Sequence, residues 1–79
     1  ESAHYKEWAE VLTREYDEFL KRVKRGKNKV IDEYGAVSAP EFFAVATESF
    51  FEKSKQMKKR LPELYQQLQT FYGLDPAEW

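Results

Sequence analysis

No cysteine occurs anywhere in the chain. Disulfides, thiolate metal sites and Cys–His catalysis are thereby excluded. His4 is the single histidine. Near the start of the chain it reads as a surface residue rather than a ligand, and no Ser-His-acid set assembles around it. The three glycines, Gly26, Gly35 and Gly73, are scattered, so no glycine-rich loop cradles a phosphate. An excess of one charge is missing too: thirteen Lys and Arg stand against fourteen Asp and Glu, a net charge of −1. That balance gives no electrostatic case for nucleic acid or for an anionic membrane surface. No apolar run approaches the roughly 20 residues of a membrane span, and no signal-peptide pattern opens the sequence.

What is present suits a small soluble helical protein. With 42% apolar and 34% charged residues, the 79-residue chain reads as one globular segment over residues 1–79. A chain of this size buries only roughly 60–65% of its unfolded surface. The opening at Glu1, without Met, is read as the mark of a processed or excised piece. The expected class is all-α: a small bundle of three main helices with one short extra helical turn.

From Ala3 to Arg25, Tyr5, Trp8, Leu12, Tyr16, Phe19 and Val23 recur at spacings of three and four, one stripe of an amphipathic helix. Ser2 is its expected N-cap and Gly26 its left-handed stop. Between Lys27 and Ser38 the helical period is lost; Val30 and Ile31 suggest a short extended piece, and Gly35 a turn other residues would resist. Ser38-Ala39-Pro40-Glu41 then supplies a capping hydroxyl, a first-turn proline and a glutamate three residues after the cap, predicting a helix from Ala39 to about Lys53. Ser54 is expected to cap a brief turn through Lys59. Pro62 opens the last helix, which carries Leu64, Tyr65, Leu68, Phe71 and Tyr72; Gly73 ends it, Leu74 folds back, and Pro76 prevents continuation. The five bases between Lys53 and Arg60 read first as a solvated surface, second as a partner-binding patch.

The second helix poses the functional question. Wound at about 100° per residue, it gathers Phe42, Phe43, Ala46 and Phe50 on one side, and Glu41, Val45, Glu48 and Glu52 on the other. In one reading the phenylalanines make the core, Glu41 completes a capping box and the glutamates face water. In the other, one carboxylate belongs to a site. Glu41 and Glu48 lie seven residues apart, about 10 Å along the axis, too far to share one metal ion. Alone, the chain holds no complete catalytic set and is expected to be inactive.

The run IDEYGAVSAPEFFAVATESFFE, followed by RLPELYQQLQTFYGLDPAEW, resembles the C-terminal part of the Mlc titration factor A family of zinc-dependent peptidases. WAEVLTREYDEF resembles the helix preceding that loop, so the likeness runs from Trp8 to Pro76. One departure is Ala39-Pro40, where the family more often has Pro-Ala. The resemblance implies a gluzincin site, in which a His-Glu-x-x-His helix gives two zinc ligands and the general base, and a later glutamate gives the third ligand. By position that ligand is Glu41. A further likeness to lethal factor-like peptidases, which share Tyr-Gly and Glu-Phe-Phe-Ala at this spacing, supports Glu41 as the ligand and implies that Tyr34 assists catalysis. Glu48 takes a supporting, structural role.

The alternative for Tyr34 is a buried loop aromatic with a satisfied hydroxyl. His-Glu-x-x-His is absent from these 79 residues. The chain is therefore read as the C-terminal portion of a larger cytoplasmic metallopeptidase domain acting on peptides, and alone it should bind zinc weakly or not at all. Its phenylalanine-rich surface makes homodimers an expectation. The resemblance also implies a second class of function, binding to a transcriptional repressor of sugar-uptake genes, with the tail from Leu61 to Trp79 as the surface. A plain helical scaffold is the third.

Overall fold

A computed structural model describes residues 2–79, with side chains from Tyr5 onward. The Ser2 cap and the surface position of His4 lie outside the described side chains. Among the described residues four helices form: α1 (Ser2–Lys24), α2 (Ala39–Glu52), α3 (Ser54–Arg60) and α4 (Pro62–Tyr72), with 3₁₀ turns at Glu33–Ala36 and Pro76–Glu78. Among the described residues there is no strand, as the all-α reading expects. Among the described residues, no helix is long and apolar enough to cross a membrane.

Each boundary has a local cause. α1 ends in a Schellman motif: Gly26 adopts φ 70°, its N–H donates to the Val23 carbonyl, and the Lys27 N–H donates to the Arg22 carbonyl. Ser38 Oγ accepts the Glu41 N–H at 3.3 Å and opens α2, with proline in the first turn. Gly73, at φ 69°, closes α4. The expected cap at Ser54 does not form: Ser54 is the first residue of α3, and the flanking Lys53 gives no side-chain cap bond. α3 is held instead by burial of Met57. Nor do Val30 and Ile31 pair as a strand. They are buried in a bend, where the Ser49 hydroxyl donates to the Val30 carbonyl at 2.9 Å.

The core is built from Phe19 of α1, Ile31 of the loop, Phe42, Ala46 and Phe50 of α2, Met57 of α3, and Leu64, Tyr65 and Leu68 of α4. α1 and α4 run antiparallel, since Arg14 meets Glu63, Glu7 meets Gln67 and Trp8 stacks on Phe71. Phe42 sits with its ring 5.0 Å from that of Phe19 and 5.2 Å from that of Tyr16. Such tilted aromatic contacts fix the roll of α2 beyond what area burial alone would.

Candidate functional site

The loop before α2 runs back along the helix it precedes. Val30 is tied to Ser49 in the last turn of α2, and Gly35 lies on its first turns. A Cβ at Gly35 would stand 2.8 Å from Val45 Cγ2 and 3.1 Å from the Phe42 Cα. The glycine is required by this close approach; its φ is not positive, so the turn itself does not demand it. The same seating explains why Val45, on the glutamate side of α2, is buried: the loop covers it.

Asp32 shapes the turn that carries Tyr34. Its Oδ1 accepts the Tyr34 N–H at 2.8 Å and caps the Glu33–Ala36 turn. Sequence reasoning missed this residue, although an aspartate two positions before the turn's amide is the mark of an Asx turn. The Tyr34 side chain is 56% exposed, which removes the buried-aromatic alternative.

Glu41 is half-buried at the opening of α2. Its amide is used by Ser38, while its carboxylate has no hydrogen-bond or ion-pair partner among the described residues. The capping box is thus half made, and the carboxylate is left to other uses. Glu48 and Glu52 are exposed. A cleft of about 540 Å³ is lined by Asp32, Glu33, Glu48, Ser49 and Glu52 with neighbouring loop residues; neither Tyr34 nor Glu41 lines it. Glu48 thus belongs to the groove between loop and helix, a full two turns from Glu41.

The donor set tests the implied metal. Among the described residues, no group of three or more His, Cys, Asp or Glu is placed to hold a metal ion. The described residues do not by themselves supply a three-ligand metal site, so a metal held here would need ligands from other polypeptide.

The Tyr-Gly turn thus precedes the first turn of α2, where the Glu41 carboxylate is unpaired among the described residues. Comparison with known families points to a metallopeptidase. Residues 1–73 match the family model described as glucose-regulated metallo-peptidase M90. The chain belongs to this family, and the resemblance to Mlc titration factor A is borne out. It is also 40% identical, over 72 residues, to the uncharacterised protein slr2042 of Synechocystis sp.. That match covers 91% of this chain and 26% of the relative, so the chain spans about a quarter of that protein's length. No solved structure matches.

Proposed function

We propose that the chain is the zinc-ligand-bearing, C-terminal part of a cytoplasmic gluzincin that hydrolyses peptides. Glu41 supplies the third protein ligand, and the Tyr34 hydroxyl donates to the oxyanion formed on the substrate carbonyl. The observation that carries this reading is the seating of Gly35 on Phe42 and Val45, which brings the backbone beside Tyr34 onto the same first turns of α2 that present the unpaired Glu41. Zinc, when bound, acidifies water and polarises the scissile carbonyl.

The chain's own residues do the positioning. The Ser38 cap fixes the first turn of α2, and hence the direction of the Glu41 carboxylate. The Asp32 bond to the Tyr34 amide fixes the turn, so the phenol is carried on a rigid backbone rather than a free loop. An exposed phenol suits a hydrogen-bond donor better than a base.

The test uses the full-length protein that carries this segment. Glu41→Gln should lose bound zinc, measured by metal analysis after dialysis, together with peptidase activity. Tyr34→Phe should keep its zinc and lose about 10²-fold in kcat, the usual effect of removing one oxyanion donor. Full zinc and full activity in Glu41→Gln would refute the assignment.

A further inference from the structure

A second cleft, away from Glu41, gathers positive charge from three separate elements. Arg22 of α1, Lys27 and Lys29 of the following loop and Arg60 of α3 line a space of about 590 Å³ with Asn28 and Leu61, and no acidic residue is in its wall. Among the described residues, none of these four bases is in an ion pair; those pairs engage Arg14, Lys21 and Lys58. Arg22 Nη2 is buried and has no hydrogen-bond partner. On its own helix, Glu18 one turn back is paired with Lys21 at 3.6 Å, and Glu15 two turns back is an acid whose ionisation Arg22 favours with no ion pair between them. A buried guanidinium nitrogen left unbonded is costly, and a turn of the Arg22 side chain toward the cleft would let an anion held there satisfy it.

Helix ends attract bases, and α1 has three in its last turn, Lys21, Arg22 and Lys24. That attraction does not account for the cleft. The Arg22 and Val23 carbonyls are already satisfied by the Schellman bonds from Lys27 and Gly26. Lys27, Lys29 and Arg60 come from outside α1. The loop is also pinned: the Asn28 side-chain amide donates to the Ile31 carbonyl, and the buried Val30 carbonyl takes the Ser49 hydroxyl. The Asn28 and Lys29 N–H groups are engaged with no backbone carbonyl among the described residues. With a net charge of −1, the whole chain exerts no general attraction for anions, so binding here is local.

We propose that this cleft binds a phosphate group carried by a small ligand. The guanidinium of Arg22 grips two phosphate oxygens, while Lys27, Lys29 and Arg60 neutralise the dianion. Two planar forks beside two point charges match a phosphate better than a monoanionic carboxylate.

The experiment titrates the full-length protein that carries this segment, at constant ionic strength, with inorganic phosphate and separately with glycerol 3-phosphate, using glycerol and chloride as controls. Amide shifts are followed by ¹H–¹⁵N NMR. Saturable shifts should centre on residues 22–30 and on Arg60 and Leu61. Arg22→Gln should weaken binding at least about tenfold, the effect of losing a charge-assisted bond. Should Arg22→Gln not fold, the exposed pair Lys29→Gln with Arg60→Gln carries the test, with a loss of about fivefold or more. Tighter binding of the monoester than of free phosphate would show that the cleft also reads the carbon body; equal binding would show that it takes the oxyanion alone. Shifts that stay linear with concentration, that centre on Lys53–Lys59, or that these variants leave unchanged would overturn the site.

Discussion

Gly35→Ala isolates the contact on which the candidate site rests. The added methyl would sit 2.8 Å from Val45 Cγ2, 3.1 Å from the Phe42 Cα and 3.2 Å from Phe19 Cε2. Carbon atoms pack best at about 3.5–4.0 Å, so all three contacts are repulsive. None yields easily: the Phe42 atom is backbone, Val45 is β-branched with little χ1 freedom, and Phe19 is fully buried. Overpacking of this kind costs about 1–3 kcal/mol. Replacing glycine also restricts the unfolded chain, which returns about 0.4–1 kcal/mol. The net expectation is a loss of about 1–2 kcal/mol, read as a fall in Tm of roughly 5–15 °C for a domain this small. Urea unfolding should show a lower midpoint at unchanged slope. Gly26→Ala is the matched control, because nothing lies within 4 Å of its added Cβ and only the strain of φ 70° remains. If Gly35→Ala proved as stable as the parent while Gly26→Ala was weakened, the loop would not be seated on α2, and the backbone beside Tyr34 would not be held on the first turns of that helix.

Two further outcomes follow from buried polar groups. Tyr65→Phe removes a hydroxyl that donates to Asp75 and accepts the buried Ala77 N–H at 2.9 Å. Leaving that N–H unsatisfied should cost about 1–3 kcal/mol in urea unfolding, and a change below about 0.5 kcal/mol would contradict the contact. Burial pushes the Glu15 carboxyl above its ordinary 4.5, helped by Glu63 and Glu18 and opposed by Arg14 and Arg22. The folded state then holds this proton more tightly than the unfolded one. The protonated form's advantage is therefore complete below about 4.5 and is lost as pH rises through the folded value. Glu15→Gln should match the parent near pH 3 and be the more stable protein at pH 7, in paired thermal melts; the opposite order would refute the direction.

The helices were legible because three- and four-residue spacings, a proline in each first turn of α2 and α4, and glycines after α1 and α4 all act within one element. The details that shape the site act between elements. Gly35 looked like a turn residue; its need arises from Phe42 and Val45, whose position depends on how α2 rolls against Phe19. Val45 shares the glutamates' side of the helix by winding alone, and becomes core only because the loop doubles back over it. Ser54 had the chemistry of a cap but falls inside its helix. Glu41 could be named from resemblance to its family, whereas its free carboxylate is visible only once Ser38 is seen to take the amide and nothing else reaches the oxygens. The basic cleft was invisible for a similar reason, since Arg22 and Arg60 stand 38 positions apart in sequence.

The family match stops at residue 73, yet the six residues beyond it are not an ornament. Past Gly73 the chain turns back so that Asp75 and Ala77 clasp the Tyr65 hydroxyl, and Pro76 and Ala77 are themselves buried. The tail works as a latch on the heart of α4. A cousin trimmed at the equivalent point inherits an open keyhole there, and must either swap the phenol for a plain ring or borrow a bolt from elsewhere in its own chain.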